Sequence, residues 1–339
     1  MSPYPPLIRA ILSNDASTLR TLLSTNDPNQ TAGKYSWTPL HFAAYHHTPT
    51  LIPLLLSHDA AVSVKESKDG FTPLHKAAER GYVDIITILL DAGADIETPS
   101  YAGSTPLLIA VKFGCVKAIE ALLSRGADVK CVDRTGRGVL HVAAEKGNLD
   151  IVKFLSKKGA AVDEGNEKGR TPLYLAVRNG WVDVVEYLVT LEGVDVNKVG
   201  DDGWTALHAA SFYGKKGGEM VKVLLENGAE VGVKISSTGY TPLHKASEAG
   251  NLEAAKLLVE KGASVNARSL RRHTPLYAAV RFGDSKERER MLEMVKMLVG
   301  KKADVGIKDR FGMGVGSIAK QKGLTEVMKV LDVEEEFGL

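Results

Sequence analysis

Apolar residues occur along this chain in pairs of short clusters, and the stretch that begins GFTPLHKAAERG shows the pattern. In its first cluster Leu74, Ala77 and Ala78 share one face at helical spacing. The second cluster places four aliphatic residues on one stripe: Ile85, Ile86, Leu89 and Leu90. Gly81 and Gly93 follow the two clusters, where glycine commonly ends a helix. The pattern predicts a short helix, a tight loop and a longer helix, followed by a polar, turn-rich segment.

This pattern repeats through nearly the whole sequence. Copies of TPLH, some of them worn, start at residues 38, 72, 105, 138, 171, 205, 241, 274 and 314. A degenerate copy upstream, led by Pro5 and Pro6, brings the number of units to ten. The threonine of TPLH is a good N-cap, and the proline sits at the first helical position, where no hydrogen bond is lost. Because one unit cannot bury its apolar stripe alone, neighbouring units must stack.

Through TPLH, the following AAxxG, the LL pair and the GAD or GAS that recur in nearly every unit, the chain resembles the ankyrin repeat family over essentially its whole length. The resemblance implies a mainly α fold, an ankyrin-repeat solenoid of β-hairpin and α-hairpin repeats that forms a single elongated, curved array with hairpin fingers along one edge. We expect one ankyrin repeat domain over residues 1–339. It comprises a degenerate N-terminal cap repeat (1–33), eight central repeats (34–309) and a degenerate C-terminal cap repeat (310–339). The two caps favour a complete array, with an excised piece of a larger protein as the alternative.

Two insertions interrupt the period. The ninth unit carries DSKERER at residues 284–290, and we expect a charged extension of its second helix. An extension of about two turns would keep four residues on the buried face: Met294, Val295, Leu298 and Val299. The shorter KKGG at residues 215–218 is expected to widen a loop. Both insertions are read as solvated segments, with a partner contact as the alternative.

Composition limits the function classes. With 44% hydrophobic residues, 25% charged residues and a net charge of +2, the chain reads as a soluble folded protein. The 43 Lys and Arg nearly match the 41 Asp and Glu, which disfavours a nucleic acid partner. No signal peptide and no membrane-spanning run is found in the sequence, and two cysteines are too few for a disulfide framework or a zinc site. We expect a protein of the cytoplasm, or of the nucleus.

A histidine occupies the fourth TPLH position in five units, as His41, His75, His141, His208 and His244. Other units have Leu108, Tyr174 or Tyr277 there, and an essential catalyst would not be so interchangeable. Imidazole has one donor and one acceptor, so we expect each histidine to bond its capping threonine and a neighbouring backbone group.

No other motif indicates catalysis. His46, His47 and His58 lack a carboxylate or cysteine at ligand spacing and are interpreted as surface histidines. Cys115 and Cys131 are interpreted as free thiols. The glycine-rich segment near residue 312 matches neither phosphate-loop pattern and lies in register with the worn tenth repeat. We therefore expect no enzyme, no cofactor and no metal.

The variable positions carry the functional signal. In the ankyrin family, partner contacts mostly use the residue before the TP pair, the two residues after AA and the finger tips. In units two to ten, nine of the 27 residues in the first three of these slots are aromatic, although the chain has 21 aromatic residues among 339. The candidate protein-binding residues are Trp37, Tyr45, Phe71, Lys112, Phe113, Arg137, Lys146, Arg170, Arg178, Trp204, Phe212, Tyr213, Tyr240, Arg281 and Phe282.

This arrangement suggests a partner with acidic residues over the basic middle and apolar anchors at the two aromatic ends. The alternative is that the aromatic residues only pack one unit on the next. The predicted function is a non-catalytic protein-binding scaffold or adaptor, a monomer that binds an unknown protein through its concave face and fingers. The alternative is the regulatory or targeting region of a larger enzyme, channel or effector.

Asn197 and Asn266 lie on the segments between units. They resemble the finger asparagines that a dioxygenase hydroxylates in some ankyrin proteins. The competing interpretation, which we favour, is that their side chains stabilise a turn.

Overall fold

The protein is built from successive helix pairs. The computed structural model describes residues 4–213, 216–282 and 288–337. The chain divides into two compact units, Met1–Ala161 and Val162–Leu339, each with five helix pairs. The helices of the first unit are α1 (Pro6–Leu12), α2 (Ala16–Leu23), α3 (Pro39–Tyr45), a short 3-10 helix (Pro49–Leu51) that leads into α4 (Ile52–Leu56), α5 (Pro73–Arg80), α6 (Val83–Asp91), α7 (Pro106–Phe113), α8 (Val116–Ser124), α9 (Val139–Lys146) and α10 (Leu149–Lys157). Those of the second unit are α11 (Pro172–Asn179), α12 (Val182–Leu188), α13 (Ala206–Phe212), α14 (Gly217–Glu226), α15 (Pro242–Glu248), α16 (Leu252–Glu260), α17 (Pro275–Phe282), α18 (Arg288–Gly300), α19 (Val315–Gln321) and α20 (Thr325–Phe337).

The residues predicted to begin and end the helices do so, as α5 shows. Thr72 precedes α5, and its Oγ1 accepts the backbone N–H of His75 at 3.4 Å. Pro73 is the first residue of that helix. Gly81 ends it with a left-handed φ of 75°, a conformation that costs glycine little.

Stacking of like helices forms the core of each unit. In the first unit α3 packs on α5 and α5 on α7, while α6 packs on α8. In the second unit the first helices α11, α13, α15, α17 and α19 pack in sequence, as do the second helices α12 to α20. The predicted apolar stripe of α6 is buried at Ile85, Ile86 and Leu89, whereas Leu90 is only half-buried. Each helix pair thus buries its stripe between neighbours, as the repeat pattern requires.

The segment between one helix pair and the next forms a finger. In the described residues the fingers are tight turns with isolated β-bridges, such as Val132 to Gly138, and they contain no regular strand. Neighbouring fingers are joined by backbone hydrogen bonds, for example from Arg134 N to Ala102 O at 3.0 Å. The predicted hairpins are therefore present in a short form, closed by bonds such as that from Asp133 N to Arg137 O at 3.0 Å.

The structure agrees with the expectation for the described part of the longer insertion and differs from it for the shorter one. Residues 283–287 lie outside the described part of the chain, but α18 begins at Arg288 and has 13 residues, against nine in α16. All four residues expected on its buried face are buried. In the shorter insertion the expectation of a wider loop is wrong for Gly217 and Gly218, which form the first turn of α14. A Cβ on Gly217 would lie 2.3 Å from Asn251 Nδ2, so glycine permits this close approach.

Candidate protein-binding surfaces

The repeated histidines belong to the framework. The backbone N–H of Thr72 donates to His75 Nδ1 at 3.1 Å, and His75 Nε2 donates to the Ser104 carbonyl of the next repeat at 3.0 Å. The same bonds recur from His41 to Phe71 O (2.9 Å) and from His244 to His273 O (2.9 Å). The prediction that the histidine bonds the capping threonine and a neighbouring backbone group is confirmed for His41, His75, His208 and His244. At His141 the cap residue is Gly138, whose backbone N–H donates to His141 Nδ1 at 3.1 Å.

Burial holds these imidazoles in the neutral form. It lowers the pKa of four of them to about 4: His41, His75, His208 and His244. A neutral ring with an accepting Nδ1 and a donating Nε2 satisfies both bonds, whereas a protonated ring would lose the acceptor.

The aromatic residues predicted near the N-terminus surround a lysine. Lys76 Nζ, on α5, lies 4.6 Å from the centre of the Phe71 ring and 4.9 Å from that of Trp37. The Tyr45 ring centre is 6.0 Å away. Glu79, one helical turn further on, pairs with the same ammonium at 3.1 Å. We call these five residues the Lys76 cluster.

The second unit contains a cluster of the same design. Lys245 Nζ, on α15, lies 4.9 Å from the centre of the Trp204 ring and 5.1 Å from those of Phe212 and Tyr240. Glu248 pairs with it at 2.9 Å. We call these five residues the Lys245 cluster.

Each cluster is built from the same five sequence positions, which are spread over two successive repeats. Tryptophan comes from the finger of one repeat, the next ring from the C-terminal end of that repeat's first helix, and the third ring from the following finger. The lysine then follows the TPLH histidine, with glutamate three residues later. Ring faces are negative, so three of them and a carboxylate compensate an ammonium that is largely removed from water.

The lysines were missed in the sequence because only slots known for partner contact were compared. A signal was present, since TPLHK occurs twice and each time follows a unit with Trp before its own TPLH or TALH.

The candidate aromatic residues differ in exposure. Phe113 and Phe282 are open to solvent, at 49% and 45% exposed. Trp204 and Tyr213 are half-buried, with 5.8 Å between their ring centres. Tyr240 is buried, and its hydroxyl bonds His273 Nδ1 at 2.9 Å, so little of its surface is left for a partner. The clusters thus combine internal packing with ring surface that remains accessible.

The candidate basic residues fall into two groups. Arg137 pairs with Asp133 and Glu145, and in the second unit Arg170 pairs with Asp202 at 2.9 Å. The other group is exposed and makes no ion pair within the described part of the chain: Lys112, Lys146, Arg178 and Arg281. Members of this second group can meet an acidic partner without first breaking an internal pair.

The remaining polar candidates have local roles. His47 pairs with Asp84 at 3.0 Å, and His58 Nδ1 bonds Leu54 O at 2.9 Å. Among the described residues no group of three His, Cys, Asp or Glu side chains could hold a metal ion. Cys115 and Cys131 are free thiols, and burial raises the pKa of Cys131 to about 11, which keeps that thiol protonated at neutral pH.

Both inter-unit asparagines bridge to the following repeat. Asn197 Nδ2 donates to Gly228 O at 3.0 Å, and its Oδ1 accepts the N–H of Glu230 at 2.8 Å. Asn266 does the same with Lys302 O and the N–H of Asp304. These bonds give both asparagines a structural role, as expected, but the role is to join successive repeats rather than to stabilise one turn; hydroxylation at either residue stays a prediction.

Stacked helix pairs, joined by bonds from buried histidines to backbone carbonyls of the next repeat and linked through short fingers, define a repeat protein. A family model described as ankyrin repeats in three copies matches residues 7–100, 97–166, 140–235 and 218–309. The chain belongs to the ankyrin repeat family, whose repeats are protein–protein interaction modules.

Curated relatives match over parts of the chain. Ankyrin repeat and SOCS box protein 3 of Homo sapiens is 35% identical over 88 residues, which are 25% of this chain and 17% of that protein. Probable 26S proteasome regulatory subunit p28 of Saccharomyces cerevisiae is 40% identical over 90 residues, 26% of this chain and 38% of that protein. B-cell lymphoma 3 protein homolog of Mus musculus is 30% identical over 140 residues, 41% of this chain and 29% of that protein. The chain thus spans well under half the length of each of these relatives.

The helices were also compared with the requirements for a membrane-spanning segment. Within residues 4–213, 216–282 and 288–337, no helix combines the length and the apolar character that crossing a bilayer requires.

Proposed function

We propose that this protein is a non-catalytic scaffold or adaptor, and that it binds a partner protein through the first helices of its repeats and through its fingers. The observation that carries the proposal is the half-exposed ring surface of the Lys76 and Lys245 clusters, since aromatic residues dominate binding hot spots. Because Glu79 and Glu248 neutralise the two lysines, the ring surfaces can be covered without leaving an uncompensated buried charge.

The basic residues near the aromatic clusters indicate the chemistry of the partner. In the first unit the exposed Lys112 and Lys146 lie on first helices, as does Arg178 in the second unit. Arg178 lies 5.8 Å from the Tyr213 ring centre, at the edge of the aromatic surface. An apolar or aromatic side chain flanked by carboxylates would fit either unit, and the partner is a protein rather than a nucleic acid.

The test separates binding from folding. Partner candidates are captured from the native cell with the immobilised chain, identified by mass spectrometry and expressed for measurement of Kd. Replacing Trp204 and Tyr213 together by alanine should raise Kd about a hundredfold, since each is placed as a hot-spot residue. Trp181→Ala, which removes a 39% exposed tryptophan just before α12, is the matched control. A lower melting temperature with unchanged Kd would refute the proposal.

A second function is supported by the length of the relatives. Since the matched segments are only 17% to 38% of those proteins, this chain can also be the regulatory or targeting region of a larger enzyme, channel or effector. Sequencing the native transcript to both ends distinguishes the two, because a reading frame that ends close to Leu339 favours the scaffold.

We also propose a monomer located in the cytoplasm or nucleus. Light scattering on the purified protein and imaging of a tagged copy in its native cell test these two points.

A further inference from the structure

Three adjacent fingers of the second unit are strongly basic. They precede α15, α17 and α19 and comprise residues 234–240, 268–273 and 308–313. Backbone bonds hold them side by side, from Leu270 N to Thr238 O at 2.9 Å and from Arg310 N to Arg271 O at 3.2 Å. Their basic residues are Lys234, Arg268, Arg271, Arg272, Lys308 and Arg310. We call these three fingers the finger surface.

The one acidic residue of the finger surface does not neutralise it. Asp309 is buried, and its Oδ1 accepts the backbone N–H groups of Phe311 and Met313 at 2.8 and 2.9 Å. Its Oδ2 accepts the hydroxyl proton of Tyr277 at 2.8 Å. Because both of its oxygens accept hydrogen bonds, the Asp309 carboxylate stabilises the turn and forms no ion pair with the arginines.

The arginines are open to solvent. Arg271, Arg272 and Arg310 are exposed and form no ion pair with any described residue. Burial lowers the pKa of the nearby His273; Asp309 opposes this change, and the positive charges of Arg271 and Arg281 add to it. Three exposed arginines without an ion pair to any described residue, next to a single buried carboxylate, give the finger surface an excess of positive charge.

Apolar side chains stand among these charges. Leu270 and Phe311 are 66% and 70% exposed, at the tips of two neighbouring fingers. Leu270 also lines a cleft of about 380 Å³, together with Thr238, Arg271, Phe282 and Arg310 among others. The Arg310 guanidinium lies 4.7 Å from the centre of the Phe311 ring. Large apolar side chains exposed beside arginines that form no ion pair are characteristic of a binding surface.

We propose that the finger surface binds an extended acidic segment of a partner protein, whose carboxylates pair with Arg271 and Arg310 and whose apolar side chains cover Leu270 and Phe311. The basic residues are distributed over three fingers, which suits a row of carboxylates better than a single phosphate group. Nucleic acid would satisfy the charge but would leave Leu270 exposed. This inference rests on the proposed function in taking a protein as the partner, but it uses the fingers and not the ring surface of the Lys245 cluster.

The test uses the full chain and a short fluorescein-labelled peptide in which glutamate alternates with leucine and phenylalanine. We expect saturable binding that weakens as salt is added. Reversing two charges with R271E/R310E should raise Kd about tenfold or more. L270S/F311S should also weaken binding, because the apolar contacts are lost. The matched control is K222E/K256E, which makes the same change in net charge on exposed positions of α14 and α16.

Several results would overturn the proposal. They are equal binding of a peptide with glutamine in place of glutamate, equal losses in R271E/R310E and K222E/K256E, tighter binding of a thymidine oligonucleotide of equal charge, or no binding at all. The melting temperature of each variant shows whether it is folded, and the neutral R271Q/R310Q replaces the reversal variant if that variant is not. W204A/Y213A should bind the peptide normally, so failure here and failure of the proposed function with the native partner are distinguishable.

Discussion

The ammonium of Lys245 lies 4.9 Å from the centre of the Trp204 ring, in contact across two successive repeats. The same relationship joins Lys76 to Trp37 in the first unit, also at 4.9 Å. Each lysine therefore connects two repeats through ring faces, in addition to the apolar stripes of the helices. The aromatic residues selected as partner contacts consequently stabilise the stack as well, and experiments on them must separate the two effects.

We predict that Lys245→Met lowers the free energy of unfolding by about 1–2 kcal/mol, because the contacts to three rings are lost and Glu248 is left without its cation. Methionine retains the apolar stem, so the change reports mainly on charge. Urea unfolding followed by circular dichroism measures the loss. Lys256→Met, at an exposed position of α16, is the control and should be nearly neutral.

A double-mutant cycle isolates the ring contact. Lys245→Met and Trp204→Leu should be coupled by about 0.5–1 kcal/mol. Strict additivity would mean that the ammonium and the indole are merely adjacent.

We predict that stability decreases on acidification between about pH 6.5 and pH 4. The pKa of each of four buried histidines is lowered by burial to about 4, so in this range the unfolded chain binds more protons than the folded one. Their stabilising effect is full above pH 6.5 and is lost as the pH falls towards 4. Each can contribute a slope of up to about 1 kcal/mol per pH unit.

The buried ring of His75 provides a specific check. His75→Leu places in this slot the residue that Leu108 supplies in the next repeat, and it should make the pH dependence less steep. Ring-proton chemical shifts of the four histidines should stay constant from neutral pH to about pH 5. Titration of any of these rings near pH 6.5 would contradict the assignment.

The framework could be predicted from the sequence because it depends on local rules that recur in each repeat. Thr72, Pro73 and Gly81 determine where a helix begins and ends, and the two hydrogen bonds of His75 follow from the chemistry of imidazole. Repetition separated these framework residues from Phe71 and Glu79, which differ between copies.

Relationships between repeats could not be predicted in the same way. Lys76 occupies a position that is filled in most other repeats by a buried apolar residue such as Ile109, and only the stacked geometry brings its ammonium to Trp37 and Phe71. Gly217 belongs to an insertion in the repeat period, which predicts a loop, but it begins α14, where the close approach of Asn251 leaves no room for a Cβ. Nor does the sequence reveal that Asp309 has both oxygens bonded while the arginines beside it form no ion pair with any described residue.

We predict that Asn197→Ala lowers the free energy of unfolding by about 1–2 kcal/mol, since the N–H of Glu230 and the carbonyl of Gly228 both lose their partner. Asn179→Ala is the control, because that amide bonds only Leu175 in its own helix. Equal effects of the two substitutions would show that the bridge between repeats adds nothing. Intact-mass measurement of the native protein separately tests hydroxylation, which an absence of any species heavier by one oxygen would exclude.

Gly103 and Gly126 offer a test of how closely the fingers pack. Both have left-handed φ values, 81° and 92°, so alanine costs about 1 kcal/mol of backbone strain at either position. A Cβ on Gly103 would also lie 2.6 Å from the backbone nitrogen of Arg134, whereas a Cβ on Gly126 would meet nothing within 4 Å. Gly103→Ala should therefore lower the free energy of unfolding by about 1–3 kcal/mol more than Gly126→Ala in urea titrations. Equal losses would mean that the neighbouring finger yields freely, and that the bond from Arg134 N to Ala102 O does not hold the two fingers in register.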